Sequence, residues 1–215
     1  MALEVHTNGG VVHLLADPAL LIPQTSTLIV SDLHIGKAGH FRKNGIPVPT
    51  SIAMQDMHRL HELLTRVPSK EVVFLGDLGH SDVNKEWRVF SQVINEFSNR
   101  TFYLTRGNHD READAFYREM GINEVVDGLQ RHGFYLTHEP VETKAFNICG
   151  HEHPAVRIKG KARQSLRLPC FYFLENRAVI PAFLRFSGHY DITPSKDLRV
   201  FPVVEGRVMV YENKL

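Results

Sequence analysis

Apolar and polar residues alternate in Leu3-Glu-Val-His-Thr7 and again in Gly10-Val-Val-His-Leu-Leu15, on either side of Asn8-Gly9. Alternation around Asn-Gly is the strongest short hairpin signal, so the chain is predicted to open with a β-hairpin that breaks at Asp17-Pro18. Thr27-Leu-Ile-Val30 is a continuous apolar run and predicts a buried strand. The period then changes. Ile52, Met57, Leu60, Leu63, Leu64 and Val67 recur near 3.6 residues, which predicts a helix capped by Thr50 or Ser51 and ended by Pro68. Trp87, Phe90, Val93, Ile94 and Phe97 predict a second helix from about Asn84 to Ser98, and Ala113, Phe116, Tyr117 and Met120 a shorter third. Strands are predicted between them at Glu71–Leu75 and Thr101–Leu104. Residues 40–49 read as a loop, basic and aromatic at Phe41, Arg42 and Lys43 and closed by Gly45, Pro47 and Pro49.

Beyond about residue 133 the strand pattern continues without helices, at Gly133–Leu136, Ala145–Cys149, Cys170–Leu174, Ala178–Ile180 and two stretches near the C-terminus. Strands alternating with helices, followed by strands alone, imply an α/β (α+β) protein: a β-sandwich of two packed sheets flanked by helices. With no repeat and no linker in view, residues 1–215 are expected to form a single domain.

Composition changes this picture little. The chain is 43% hydrophobic and 23% charged, enough for a packed core, and its net charge of +1 means that contact with nucleic acid must come from a local patch. There is no apolar run of membrane-spanning length and no signal-peptide pattern at the start, so a cytoplasmic protein without a membrane partner is expected. Cys149 and Cys170 lack Cys-x-x-Cys spacing and read as small core residues. Histidine is the anomaly, at 13 residues. Gathered at strand ends, so many imidazoles would mean metal.

Five apolar runs do end in such side chains: Asp32 and His34, then Asp77, then Asn108 and His109, then His138, then His151 and His153. Ligands of α/β proteins bind beyond the carboxyl ends of strands, so five such ends predict one site. Histidines with a carboxylate suit zinc, manganese or iron, and a shared aspartate with an amide oxygen would complete two sites. Two cations about 3.5–4 Å apart clamp a phosphoryl group and activate water.

The ordered set Asp32-x-His34, Gly76-Asp77, Gly107-Asn108-His109-Asp110, His138 and Gly150-His151-x-His153 resembles the motifs of the calcineurin-like metallophosphoesterases. The resemblance implies that Asp32, His34 and His153 hold one metal, that Asn108, His138 and His151 hold the other, and that Asp77 bridges them. It also implies hydroxide as nucleophile, His109 as the acid that protonates the leaving oxygen, and Asp110 as the group that orients the His109 ring. Arg106 is expected to clamp the phosphate. The cofactors expected are two divalent metal ions, manganese ahead of zinc or iron.

Asp32-Leu-His-Ile-Gly-Lys37, Phe41–Pro49, Leu168-Pro-Cys-Phe171 and Ile180-Pro-Ala-Phe183 are similar to stretches of the bacterial ligase-associated DNA endonucleases of the PdeM type, relatives of the SbcD-type repair nucleases. In that family the last stretch runs into a glycine-rich turn, where this chain has Leu184-Arg-Phe-Ser-Gly-His189. The resemblance implies a DNA endonuclease acting in DNA repair, with an ATP-dependent DNA ligase and a helicase as partners by association. Arg157, Lys159, Lys161, Arg163 and Arg167 lie within eleven residues with no acid among them. They would track a phosphate backbone, or form a solvated strand face. The other readings are a small phosphatase or cyclic-nucleotide phosphodiesterase with the same metals, and a non-catalytic scaffold that keeps the fold.

Overall fold

The computed structural model describes residues 2–80, 83–159, 164–185 and 187–212, without the side chains of Thr50, Ala53 and Lys159. Seven strands stand side by side in chain order in the first sheet: β1 (Leu3–Thr7), β2 (Gly10–Leu15), β3 (Ala19–Ile22), β4 (Thr27–Val30), β5 (Glu71–Leu75), β6 (Thr101–Thr105) and β7 (Glu124–Val126). Short turns make β1 to β4 antiparallel, including the Asn8-Gly9 hairpin that pairs Thr7 with Gly10. From β4 to β7 the pairs are parallel, because helix-containing crossovers return the chain to the same end of the sheet.

Those crossovers carry α1 (Lys37–Lys43), α2 (Thr50–Arg66), α3 (Lys85–Glu96) and α4 (Asp114–Glu119). Three of these follow the periodicity of the sequence. In α3 the expected Asn84 cap accepts from the Glu86 amide at 2.8 Å, whereas α2 starts directly after Pro49 and no side chain caps it. The exception is α1, which occupies part of the predicted loop. A seven-residue helix is too short to show a period. It is held from outside: Gly36 precedes it in a left-handed turn and donates to Glu86 of α3 at 2.8 Å, and Ala38 packs on Val48.

The second sheet comprises β8 (Leu129–Arg131), β9 (Phe134–Leu136), β10 (Phe146–Cys149), β11 (Pro154–Lys159), β12 (Ser165–Phe173), β13 (Arg177–Val179) and β14 (Tyr190–Ile192), with β15 (Arg199–Val204) and β16 (Arg207–Val208) joined along β12. Its strands run in the order β14-β11-β12-β13-β10-β9-β8. The expected start of β12 at Cys170 is five residues late, since Ser165, Leu166 and Arg167 are exposed and carry no burial signal.

Ile29, Val73 and Leu75 meet Phe134, Leu136, Ile148, Phe171 and Phe173 between the sheets. On the other face of the first sheet, Leu28, Val30, Phe74 and Phe102 meet Leu60, Leu63, Leu64, Trp87 and Phe90 from the helices. The expected helices therefore flank the sandwich on that side; the far face of the second sheet is covered by side chains such as Leu198, Val204 and Tyr211. Strands β4 and β5 are buried on both faces, and each such aliphatic side chain contributes roughly 1.5–3 kcal/mol. The strands that end in Asp32 and Asp77 are thus held from both faces. Among the described residues no helix is long and apolar enough to cross a membrane.

Candidate metal centre

Beyond their ends β4 and β5 stay paired as loops. The His34 amide donates to the Asp77 carbonyl at 2.9 Å and the Ile35 amide to that of Leu78 at 2.8 Å. Within these loops the backbone turns sharply. Asp32, His34, Asp77, His151 and His153 all have positive φ, from 47° to 67°, and they are five of the eight non-glycine residues that do among the described residues. Left-handed backbone is uncommon outside glycine and costs on the order of 1–3 kcal/mol per residue, so its concentration on these side chains marks a built site. The preceding glycines make room: a Cβ on Gly76 would overlap the His138 ring, and one on Gly107 would overlap the Asp77 backbone.

Two groups of three candidate ligands result. In the first, His34 Nε2 lies 3.3 Å from His153 Nε2, and Asp32 Oδ1 lies 3.1 Å from His153 Nε2 and 4.0 Å from His34 Nε2. Asp32 Oδ2 accepts from the Ser31 hydroxyl and from the His151 amide. Its other oxygen, Oδ1, is fully buried without a hydrogen-bond partner. Burial, with Lys37 and three histidines close by, holds His34 far below the ordinary imidazole range, so its lone pairs are available. A buried carboxylate oxygen facing two imidazole nitrogens suits a divalent cation.

In the second group, His138 Nε2 lies 3.0 Å from His151 Nδ1 and 3.4 Å from Asp77 Oδ1. The other Asp77 oxygen lies 3.9 Å from His34 Nε2 in the first group. One carboxylate therefore faces both groups. Backbone carbonyls aim the rings, with His138 Nδ1 2.9 Å from the Leu75 oxygen and His153 Nδ1 3.1 Å from that of Gly188. Asn108, the expected amide ligand, is exposed at the end of β6 and donates through Nδ2 to Glu139 at 2.8 Å.

His109 stands beside these groups without joining them. Its side chain is 40% exposed, its Nε2 lies 4.0 Å from Asp77 Oδ2, and its amide donates to Asp77 Oδ1 at 2.9 Å. Asp110 differs from expectation. Its carboxylate accepts from the amides of Gly79 and Gly107 at 3.0 and 2.9 Å and from the Tyr117 hydroxyl at 3.4 Å, rather than from the His109 ring. It acts on His109 through the backbone, tying the two loops that carry Asp77 and His109. Burial raises its pKa, and the two amides work against that rise. Asp110→Ala would orphan both buried amides, so a loss of about 2–4 kcal/mol is expected. Urea unfolding of metal-free protein checks this, and a change below 1 kcal/mol would refute the role.

Arg106, the expected phosphate clamp, lines the cleft beside Asn108 and His138, but its donors are taken up within its own loop. Its guanidinium donates to the carbonyls of Asp110 and Glu112 at 2.7 and 3.1 Å and pairs with Asp114, so it braces the loop instead.

With this geometry in view, the comparisons are specific. The family model of the calcineurin-like phosphoesterases matches residues 25–154, more than half of the chain and every strand end described above. The chain belongs to the calcineurin-like phosphoesterases. As such it is a metal-dependent phosphoester hydrolase, in keeping with the two ligand groups. Among solved structures it resembles the nuclease MPE of Pseudomonas putida, at 29% identity over 98% of this chain and 100% of that one, with a TM-score of 0.83. It also matches the phosphoesterase YfcE of E. coli, at 15% identity over 85% of this chain and 96% of that one, with a TM-score of 0.47. No curated protein matches it in sequence at a significant level.

Several residues of this phosphoesterase site carried little signal in the sequence. One is His80, whose Nδ1 lies 3.3 Å from His34 Nδ1 and whose ring stacks on His109 at 4.7 Å. Burial and Lys37 bring its pKa down to about 4, so it is neutral at physiological pH. Lys37, on the first turn of α1, is nearly buried, with burial lowering its pKa and Asp32 and Asp77 raising it. Ser31 supports Asp32. Only the proximity of these residues to the motifs could have suggested them.

The basic patch is partly neutralised. Asp191, on β14 next to β11, pairs with both Arg157 (2.8 Å) and Arg167. That acid is distant in sequence, which is why the run looked uncompensated. Lys161 and Arg163 lie outside the described residues, as does Ser81 after His80.

Proposed function

We propose that this phosphoesterase is a dinuclear-metal phosphodiesterase acting on nucleic acid, a DNA endonuclease. The observation that carries the reading is the shared carboxylate: Asp77 faces both three-ligand groups, with His109 beside it and outside both. Asp32, His34 and His153 would hold one cation, His138 and His151 the other with Asn108, and Asp77 both. Two divalent cations, manganese ahead of zinc or iron, would supply charge neutralisation at phosphate and activation of water. The chain's own contribution is placement. His109 is accessible and would donate its proton to the leaving oxygen of the substrate, while Asp77 and Asp110 hold its backbone in position.

The surroundings support a polymer rather than a small molecule. Open clefts lie on both sides of residues 106–112, one of about 320 Å³ lined by His40, His80, His109 and Arg111, the other of about 700 Å³ lined by Asn108, His138 and Glu139. The likeness to a protein described as a nuclease points the same way. A cytoplasmic role in DNA repair beside an ATP-dependent ligase and a helicase belongs to this reading and rests on the motif resemblance.

The test is cleavage of plasmid and single-stranded DNA by protein loaded with manganese, zinc or iron. Nicking that disappears on chelation is expected. Turnover of an aryl phosphodiester with no DNA cleavage under any of these metals would sink the nuclease reading.

A further inference from the structure

Glu152 separates two histidines that belong to different ligand groups, His151 and His153. Both adopt left-handed backbone, and the Glu152 amide donates back to the Gly150 carbonyl at 2.8 Å, so the turn is tight as well as strained. A turn of this kind persists only where its surroundings over-determine it. Three tethers do so here. The His151 amide is held by Asp32, His153 Nδ1 by the Gly188 carbonyl, and the Glu152 carboxylate by the Tyr172 hydroxyl at 2.7 Å. The third comes from within the second sheet, where Tyr172 is paired with Val179 of β13 on one side and Val200 of β15 on the other. Burial and Glu152 push the Tyr172 hydroxyl well above the ordinary phenol range, so it remains a donor.

We propose that Tyr172 is a positioning residue which, through Glu152, sets the spacing of the two metal sites and so allows them to fill together. Neither side chain is a metal ligand. Each acts through the turn: a shift of Glu152 moves His151 and His153 at once, whereas the tethers on Asp32 and Gly188 each act on one histidine. This inference rests on the two-metal reading above.

The probe is Mn²⁺ added to chelator-stripped protein, followed by titration calorimetry and electron paramagnetic resonance. Wild-type protein should bind two ions per chain and show a spin-coupled pair. Tyr172→Phe removes one oxygen and keeps the packed ring. It should weaken both sites roughly 10–100-fold, the usual effect of losing an outer partner, and replace the coupled signal by uncoupled Mn²⁺. Its metal-free melting temperature should match wild type. Glu152→Gln retains an acceptor and should restore coupled binding, while Glu152→Ala should reproduce Tyr172→Phe with no further loss in the double variant. Unchanged affinity and coupling in Tyr172→Phe, weakening at one site alone, or a metal-free melting temperature that falls in step would each overturn the inference. Wild-type protein binding fewer than two Mn²⁺ would overturn the two-metal reading itself.

Discussion

Replacing Asp77 by alanine is expected to abolish phosphodiester hydrolysis, a loss on the order of 10³-fold or more, because among the described residues no other carboxylate faces both candidate ligand groups. Asp77 Oδ1 is 3.4 Å from His138 Nε2 and Oδ2 is 3.9 Å from His34 Nε2, so the substitution takes an oxygen from each proposed metal site in one step. It also frees the His109 amide, which Asp77 accepts at 2.9 Å, and so loosens the proposed acid. Alanine tolerates the left-handed backbone at φ 47° poorly, which could lower stability for an unrelated reason. Asp77→Asn separates the effects, since asparagine accepts that backbone and can still receive the His109 amide while losing the charge. Metal content per chain should fall in both variants, with activity. An alanine variant that keeps most of its activity would contradict a shared carboxylate.

The second large effect should depend on the substrate. His109→Ala is expected to slow DNA cleavage about 10²–10⁴-fold, the range for loss of a general acid, while a nitrophenyl phosphodiester loses less than roughly tenfold. The reason is the leaving group. A sugar alkoxide is a poor leaving group and needs a proton as the P–O bond breaks, whereas a nitrophenolate departs unprotonated. The His109 side chain is 40% exposed and belongs to neither ligand group, so metal content and melting temperature should be unchanged. Equal losses on the two substrates would assign His109 to binding or metal support instead of proton transfer.

These predictions use residues legible in the sequence, but the reasons for their effects come from contacts that were not. The motif resemblance implied that Asp110 contacts the His109 ring. In the structure its carboxylate faces the amides of Gly79 and Gly107, and Gly79 lies 31 positions away. Arg106 was expected to clamp phosphate, yet the following turn of chain folds over it and takes its donors. The run from Arg157 to Arg167 looked uncompensated because Asp191 reaches it only through the pairing of β14 with β11. In each case the partner is set by how the chain folds back, which local pattern does not encode.

What the sequence by itself determined is the order of elements and the chemistry at their ends. Hydrophobic period separates strands from helices because it records which face is buried, and apolar runs that stop at Asp, Asn or His mark where strands leave the core. The motif order was sufficient for the family. What only the tertiary structure decided is how those ends are aimed. Five candidate ligand residues adopt backbone that L-amino acids avoid, Asp77 turns one oxygen toward each group, and Tyr172 reaches the turn between the last two histidines from a separate strand. Strained turns and shared carboxylates are stable only when many contacts from distant parts of the chain hold them at once, so they come into being with the fold.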